Sequence, residues 1–399
     1  MPSLRLLVAI TAALALFVPA TAEAHARFHG PIAHIADFIP NDPGRGVIPG
    51  GWQTVQWNFN GAFGVNAPVA WGNLIADGAP GGKGVIVAVL DTGVAYANHG
   101  SFRRSPDLKP ASFVSGYDFI DGDPYADDSE GHGTHVASTI VEATNNGKGL
   151  TGLAYGVRVM PIRVLDRKGE GDSTTIARGV RFAVDHGAKI INLSLEFPSE
   201  VVASDIPALT RAIAYAHKRG ALIVGATGNE AATSIAYPAR LHDVIAVGAT
   251  TEHGCLSEFS NRGPGIDVVA PGGGADAELP EPSCNAAGEP GHDIFQVTFT
   301  RFGSTRFGIP GGYDGTSMAA PHVTAAAALL VASGLLGPDP TPDQLRDRIE
   351  ATARDLGPPG YDRRYGWGLI DAGKATTPGG PLAPTRGAAT APTAKSTGR

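Results

Sequence analysis

The feature that most constrains the fold of this chain is a series of short apolar runs in its middle portion. The runs are continuous rather than alternating, which is typical of strands that are buried on both faces of a sheet. They occupy residues 85–90, 157–165, 189–195, 221–226 and 244–247. Segments with helical periodicity lie between them, at residues 133–143, 173–186 and 204–219. This alternation predicts a single three-layer α/β domain, with a mostly parallel central sheet covered by helices on both faces.

The carboxyl ends of these predicted strands carry two polar residues. Asp91 ends the first run, and Asn229 follows closely after the run at 221–226. In open parallel sheets, ligands bind at the edge that the carboxyl ends of the strands form. We therefore expect both side chains at a functional site, although an asparagine beside a glycine is also typical of a simple turn.

Ser317 stands at the start of a run of small and apolar residues, 318–332, that predicts a buried helix. A hydroxyl in the first turn of such a helix lies beside unpaired backbone N–H groups and the positive end of the helix dipole, where a developing oxyanion is stabilised. This is a suitable place for a nucleophilic serine. The alternative is that Ser317 only caps the helix, which is the ordinary role of a serine before an apolar run.

Two further segments carry residues suited to acid–base chemistry. Asp91 lies in Val-Leu-Asp-Thr-Gly-Val, and His132 lies in Gly-His-Gly-Thr-His-Val-Ala. A serine hydroxyl is a poor nucleophile until an imidazole accepts its proton, and an aspartate on the other imidazole nitrogen fixes the tautomer. For either His132 or His135 alone, a structural core histidine is the alternative.

Together with Ser317, these residues follow the chain order Asp, His, Ser that subtilisin has. The three segments resemble those of the subtilisin-like serine peptidase family, closest to its thermitase-type branch. The resemblance implies a subtilisin-like fold and a secreted serine endopeptidase that hydrolyses peptide bonds through an acyl-enzyme intermediate. It assigns Ser317 as nucleophile, His132 as general base, Asp91 as the residue that orients the imidazole and Asn229 as a donor of the oxyanion hole.

The resemblance also indicates a first substrate pocket. Ala226, Gly228 and Ala236 resemble the walls of that pocket in the family. Their small side chains predict a roomy pocket for large apolar or aromatic residues, and Glu230 near the rim would also favour a basic one.

Leu195 and Glu196 mark a departure from the family pattern. After Asn-Leu-Ser-Leu, relatives usually continue with glycines that pair with the substrate as an edge strand, whereas this chain continues with Glu-Phe-Pro. We expect Leu195 and Glu196 to bind substrate, but the extended pairing on this side is not implied.

Two groups of oxygen donors suit a hard cation such as calcium, which takes about six to eight oxygens. The first is the acidic loop, residues 118–128, whose spacing resembles a calcium loop of the thermitase-type branch; a solvated acidic turn is the alternative. Its expected ligands are Asp118, Asp121, Asp123 and Asp127. The second group, as in relatives, joins an N-terminal arm to a distant loop and would stabilise the fold when calcium binds. Its expected ligands are Asp42, Asp107, Thr144, Asn146, Lys148 and Leu150.

The two ends of the chain differ from the predicted domain, which we place at residues 41–375. Residues 1–26 have the layout of a signal peptide, which predicts a secreted, extracellular protein without a membrane anchor. Residues 27–40 are expected to be a short extended arm or processed segment, too short for a folded pro-domain. Residues 376–399 are rich in Pro, Thr, Ala and Gly, which predicts a disordered tail.

The two cysteines, Cys255 and Cys284, are expected to form a single disulfide in an exported chain, with two free thiols as the alternative. The net charge of −7 and the lack of a basic patch argue against nucleic acid as a partner. We expect protein or peptide substrates and a monomer. The rival hypothesis is a catalytically silent binding module on the same fold, and the presence of all four candidate catalytic residues argues against it.

Overall fold

A computed structural model of the protein describes residues 37–109, 112–279, 284, 291–301 and 305–384. The predicted signal peptide at 1–26, most of the arm at 27–40 and the end of the predicted tail lie outside the described residues.

The centre of the domain is a seven-stranded parallel sheet. Its strands are β1 (Ile86–Asp91), β2 (Tyr117–Asp118), β3 (Arg158–Arg163), β4 (Ile190–Leu193), β5 (Leu222–Ala226), β6 (Val244–Thr250) and β7 (Val268–Pro271). They pair in the order β2-β3-β1-β4-β5-β6-β7, and every pair is parallel. The five predicted apolar runs are β1, β3, β4, β5 and β6, so the predicted parallel sheet is confirmed.

Other strands escaped the sequence analysis. The edge strands β2 and β7 are short, and β7 ends in a proline, so neither gives a sustained apolar run. An antiparallel pair, β8 (Thr298–Phe299) and β9 (Phe307–Gly308), lies outside the main sheet.

Helices cover both faces of the sheet, as predicted. The helices of the described residues are α1 (Trp57–Asn60), α2 (Ala67–Ala76), α3 (His132–Val141), α4 (Ser173–Asp185), α5 (Pro207–Lys218), α6 (Thr316–Ser333), α7 (Pro342–Thr352) and α8 (Ala372–Ala375). One apolar cluster joins α2, α3 and α6 to the sheet, and a second joins α4 and α5 to its other face. Alternate residues of β1 enter the two clusters, Val87 one and Ala88 the other, because successive side chains point to opposite faces.

Helix α6 begins at the candidate nucleophile and runs through the core. It is apolar on all sides, which is typical of a helix enclosed by protein. Among the described residues it alone is long and apolar enough to cross a membrane, but most of it is buried within the domain. We therefore interpret it as a core helix.

The starts of two helices differ in detail from the sequence prediction, which takes Ser173 as the cap of α4 and residue 204 as the first residue of the next helix. Ser173 begins α4, but the cap is Asp172, whose carboxylate accepts backbone N–H groups of Thr174 and Thr175 at 2.9 and 3.0 Å. Helix α5 begins at Pro207 rather than at residue 204, because proline is favoured in the first turn and the preceding residues form a separate 3-10 turn.

Packed structure extends past the predicted domain end at residue 375. Thr376 is buried, and the Arg348 guanidinium donates to the carbonyl oxygens of Ala375, Thr377 and Pro381 at 3.0, 2.5 and 2.7 Å. A tail boundary at 376 is therefore too early, because composition does not reveal a buried arginine that binds backbone carbonyls.

The predicted disulfide is confirmed. Cys255 and Cys284 are bonded, with their Cα atoms 4.4 Å apart, which excludes the alternative of two free thiols.

Candidate active site

The carboxyl end of β1 and the start of α3 bring Asp91 and His132 together. Nδ1 of His132 donates to Oδ1 of Asp91 at 2.8 Å, and the same oxygen accepts the backbone N–H of Thr92 at 2.7 Å. Asp91 is fully buried, whereas 25% of the His132 side chain is exposed. Since Asp91 engages Nδ1, the other ring nitrogen, Nε2, is left as the proton acceptor.

Neighbouring charges set the pKa of His132. Burial lowers the pKa of the imidazole, but the charge and hydrogen bond of Asp91, helped by the charges of Glu130 and Asp128, outweigh burial and raise the pKa to about 9. The imidazolium is thus the favoured form at neutral pH, and the free base becomes abundant only in alkaline solution.

Asp128 fixes the segment that carries His132. It is buried, and its Oδ1 accepts the Thr92 hydroxyl at 3.1 Å and the Gly131 N–H at 3.0 Å. Its Oδ2 accepts the Thr134 hydroxyl at 2.6 Å and the Thr134 N–H at 3.0 Å. Burial raises the pKa of Asp128 to about 6 despite these bonds. The start of α3 is therefore tied to the end of β1 by a side chain that sequence analysis did not single out.

Gly133 allows the close approach of α3 to β1. A Cβ atom at this position would lie 2.1 Å from the carbonyl oxygen of Gly93 and 3.0 Å from Asp91. Any side chain at residue 133 would therefore push the helix away and separate His132 from Asp91.

His135 has the structural role expected of it. It is fully buried, its Nε2 donates to the carbonyl oxygen of Ile294 at 2.8 Å, and its ring stacks on Tyr313 with centroids 4.2 Å apart. Burial lowers its pKa to about 3, which keeps the ring neutral.

Ser317 lies in the first turn of α6 and is tied to Ser194, directly after β4. The Ser317 hydroxyl donates to the Ser194 carbonyl oxygen at 3.3 Å, and the Ser194 hydroxyl donates to the Ser317 carbonyl oxygen at 2.8 Å. That carbonyl is available because Pro321, one turn later, has no N–H. Ser194 was missed by sequence analysis, although its position at a strand end is the signal that singled out Asp91.

Asn229 lies next to α6, as expected of a residue that follows β5. Its Oδ1 accepts the N–H and the hydroxyl of Thr316 at 2.8 and 3.0 Å, which fixes the direction of the amide. Its Nδ2 donates to Oε1 of Glu196 at 3.1 Å, and its backbone N–H donates to Oε2 at 3.0 Å. The backbone N–H of Asn229 and one N–H of its side-chain amide are therefore engaged by one carboxylate.

Of the residues predicted to form the first substrate pocket, Gly228 lies against that carboxylate and Ala236 lies next to Gly228. Ala226 and Ala236 are buried, and a Cβ atom on Gly228 would lie 2.2 Å from Oε2 of Glu196 and 3.1 Å from Cβ of Ala236. The roomy pocket stays a prediction, and the Glu196 carboxylate lies against Gly228 at its expected wall.

His132 and Ser317 lie at the junction of two adjoining cavities. One, of about 480 Å³, also includes Asn229 and Tyr313; the other, of about 410 Å³, also includes Leu195. The cleft therefore passes over the candidate nucleophile and base, with room for a chain on either side of them.

The residues expected at the arm site are brought together. The buried carboxylate of Asp42 accepts the backbone N–H groups of residues 145–147, and Asp107 accepts Nδ2 of Asn146 at 2.7 Å and the N–H of Leu150 at 3.1 Å. Burial, aided by the charge of Asp42, raises the pKa of Asp107 to about 6.

A third carboxylate, Glu142, lies close to the arm site and was not predicted. It is fully buried; its Oε1 accepts the N–H of Val297 at 3.1 Å, while its Oε2 has no hydrogen-bond partner. Burial, together with the charges of Asp107 and Asp42, raises its pKa well above the ordinary value. The three carboxylates, like those of the acidic loop, do not converge within 4.8 Å, but they are buried and repel one another, so a cation between them would offset their charge.

The acidic loop is arranged differently from the expectation. Arg163 donates to Asp118 at 2.8 Å and to Asp121 at 2.6 Å, and Asp127 pairs with His99 at 2.7 Å. In the part of the chain that the structure describes, no three acidic side chains of this loop lie within 4.8 Å of one another. The four predicted ligands do not converge, because a guanidinium takes the place expected for a cation.

Comparisons with known proteins agree with this fold and site. The model of the subtilase family matches residues 82–368. The chain is 36% identical to Subtilisin BL of Lederbergia lenta over 324 residues, which cover 81% of this chain and 99% of that protein. It is also 36% identical to an alkaline protease of Shouchella clausii over 324 residues, which cover 81% and 70% of the two chains. The solved structure of a protease from Pseudoalteromonas arctica superimposes with a TM-score of 0.67 and 30% identity, covering 85% of this chain and 99% of that one.

The fold and these relatives define a serine endopeptidase of the α/β class. The chain belongs to the subtilase family, peptidase family S8. The relatives named above are subtilisin and alkaline proteases, and the thermitase-type branch stays a prediction.

Proposed function

We propose that the protein cleaves peptide bonds with Asp91, His132 and Ser317 as its catalytic residues. The observation that carries this proposal is the 2.8 Å hydrogen bond between Nδ1 of His132 and Asp91, in a histidine that shares its cleft with Ser317. It leaves Nε2 of His132 as the nitrogen that can accept the proton of a serine hydroxyl.

The proposed reaction begins with rotation of the Ser317 hydroxyl away from the Ser194 carbonyl. Oγ then attacks the substrate carbonyl carbon, and Nε2 of His132 takes the hydroxyl proton while Asp91 stabilises the imidazolium. Nδ2 of Asn229 and the backbone N–H of Ser317 would bind the oxyanion. The imidazolium returns its proton to the leaving amine, which gives an acyl-enzyme that water hydrolyses.

Labelling with a fluorophosphonate tests this assignment. We expect stoichiometric labelling of Ser317 in the folded protein, and none in the Ser317→Ala variant. Ser333→Ala, at the other end of α6, is the matched control and should label like the original protein. Labelling that survives Ser317→Ala, or a folded protein that does not label at all, would contradict the proposal.

One observation favours a second candidate, the catalytically silent binding module. The donor proposed for the oxyanion hole, Nδ2 of Asn229, is bonded to Glu196. A protein that labels at Ser317 and turns over peptides is an enzyme, whereas one that binds peptides without either reaction would be the silent module.

We also propose that calcium binds at the arm site, where the donor set fits a hard cation. When bound, the ion would offset the charge of the buried carboxylates and join the arm to the domain. The residues that would hold it, through side-chain oxygens or backbone carbonyls, are Asp42, Asp107, Thr144, Asn146, Lys148 and Leu150. The acidic loop, with Arg163 between its carboxylates, does not fit a second ion, and it was the basis of the thermitase-type prediction.

We propose that the protein is exported and acts on protein or peptide substrates as a monomer without a membrane anchor. The leader-like composition of residues 1–26 and the disulfide support export. Detection of the uncleaved leader on a protein retained inside the cell would contradict it.

A further inference from the structure

Glu196 lies at the place where the reacting part of a substrate must enter. Its carboxylate accepts both the side-chain N–H and the backbone N–H of Asn229, at 3.1 and 3.0 Å. The substrate oxygen needs the same Nδ2 atom during the reaction. Glu196 therefore competes with the substrate oxygen for this amide, and its departure frees both side-chain N–H groups of Asn229 for the oxyanion.

Glu196 has no cationic partner to draw it elsewhere. Among the described ion pairs and hydrogen bonds, its only partner is Asn229. Burial raises the pKa of Glu196, and the charge of Glu230 raises it further. The Glu196 carboxylate is thus held by two neutral N–H donors of Asn229 and lies near the negative charge of Glu230. A cationic side chain of a substrate would bind strongly in this setting.

The adjoining cavity of about 410 Å³ has the same electrostatic character. Three glutamates line it, Glu130, Glu170 and Glu196; they outnumber the imidazolium of His132, and the lining includes no lysine or arginine. The potential of this part of the cleft is therefore negative, which attracts basic groups and repels acidic ones.

The substrate residue nearest to Glu196 follows from the reaction geometry. The carbonyl oxygen that reaches Nδ2 of Asn229 belongs to the residue on the acyl side of the scissile bond. The side chain of that residue leaves the adjacent Cα atom, and the Glu196 carboxylate, which is bonded to the same Nδ2 atom, lies near it at the lining of the cleft. A long basic side chain can reach this carboxylate, while an apolar one can only displace it into water.

We propose that Glu196 makes this enzyme select lysine or arginine on the acyl side of the scissile bond, because the cation of that residue draws the Glu196 carboxylate away from Asn229. The proposal rests on the proposed function, since it takes Asn229 as the oxyanion donor. It assigns to Glu196 the preference for a basic residue that the sequence analysis linked to Glu230, beside the expected fit of large apolar residues.

Matched peptides test the selection. Three fluorogenic peptides would differ only in the acyl-side residue: lysine, norleucine of similar length without charge, and glutamate. We expect kcat/KM to be at least about tenfold higher for lysine than for norleucine, with glutamate slowest, since a half-buried charge pair forms only with lysine. Glu196→Gln should bring the lysine-to-norleucine ratio close to one, mainly by lowering the rate for lysine.

Glu200→Gln is the matched control, since it makes the same change on an exposed residue of the same loop. It should leave the ratio unchanged. Equal rates for lysine and norleucine in the original enzyme, or a ratio that survives Glu196→Gln, would overturn the proposal.

Fluorophosphonate labelling of the same samples separates the two proposals. If Ser317 labels and the peptides are cut without preference, the selection by Glu196 is wrong and the proposed function stands. If Ser317 does not label in the folded enzyme, the proposed function is wrong and the selection falls with it.

Discussion

Two carboxylates at the same edge of the sheet bind two groups that the proposed reaction needs, but from opposite directions. Asp91 is fully buried and binds the ring nitrogen of His132 that faces away from the cleft. Glu196 is half-buried and binds the N–H of Asn229 that must face the substrate. A carboxylate behind a catalytic group orients it and strengthens its charge, whereas a carboxylate in front of such a group competes with the substrate.

The difference shows how one chemical contact can have opposite consequences. Both contacts are carboxylate hydrogen bonds of about equal length, 2.8 and 3.1 Å. Asp91 is held by its strand and cannot leave, while Glu196 lies on a loop after β4 and can be displaced. We therefore expect the contact between Asp91 and His132 to persist throughout the reaction. The contact between Glu196 and Asn229 should depend on the substrate that binds.

Among the tests of this difference between Asp91 and Glu196, we expect the largest change in activity from Asp91→Asn. The amide cannot stabilise the imidazolium and favours the wrong tautomer of His132, so we expect kcat to fall by about 10⁴-fold. Steady-state kinetics on the lysine peptide measure it. Asp185→Asn, on the exposed surface of α4, should change kcat less than twofold. A fall of less than tenfold in Asp91→Asn would mean that the buried carboxylate is not part of the machinery.

A smaller effect is expected from pH. His132 must be neutral to accept a proton, and its pKa is raised to about 9, so kcat/KM should rise about tenfold per pH unit from pH 7 towards pH 9. The same shift stabilises the folded protein: the contribution is complete below the ordinary pKa of about 6.5 and is lost as pH rises through 9.

A full pH profile of kcat/KM provides the measurement. If kcat/KM is already constant from pH 7 upward, the conclusion that Asp91 raises the pKa of His132 to about 9 is wrong.

The arm site offers a third set of buried carboxylates, outside the cleft, to compare with Asp91 and Glu196. The effect expected there, on the stability of the fold, is the smallest of the three. There the buried carboxylates of Asp107 and Glu142 repel each other without a histidine or arginine between them. Calcium at about 100 times its Kd should stabilise the fold by about 2.7 kcal/mol, and chelation should remove that gain. Thermal unfolding with and without chelator measures it.

Two variants locate the calcium effect. Asp42→Asn should weaken the stabilisation by calcium, while Asp121→Asn, whose side chain pairs with Arg163 in the acidic loop, should preserve it. If chelation leaves the melting temperature unchanged, the proposal that calcium binds this protein is wrong. Loss of the effect in Asp121→Asn alone would place the ion in the acidic loop instead.

Much of the fold could be predicted from sequence because its signals are local. Five core strands appear as apolar runs, since a strand buried on both faces needs apolar residues at every position. Edge strands such as β2 have no such requirement, and they were missed. The cap of α4 was misplaced by one residue because Asp172 and Ser173 are both good caps and only the backbone geometry chooses between them.

The candidate site divides in the same way. Asp91, His132, Asn229 and Ser317 were found from strand ends, helix starts and family segments. Ser194 and Asp128 were not, because their roles depend on partners that lie far away in the sequence. The acidic loop was misjudged for the same reason: Arg163 lies 45 residues from Asp118 and only the pairing of β2 with β3 brings them together.

The sequence by itself determined the α/β class and the order of the reactive residues, because periodicity, strand ends and motifs are properties of neighbouring residues. The tertiary structure alone decided what each carboxylate faces. Asp91 binds His132 on the side away from the cleft, Glu196 binds the Asn229 amide on the side of the substrate, and Asp118 pairs with Arg163. A carboxylate has the same chemistry in every sequence position, and its effect depends on the direction and charge of the group that the fold places against it.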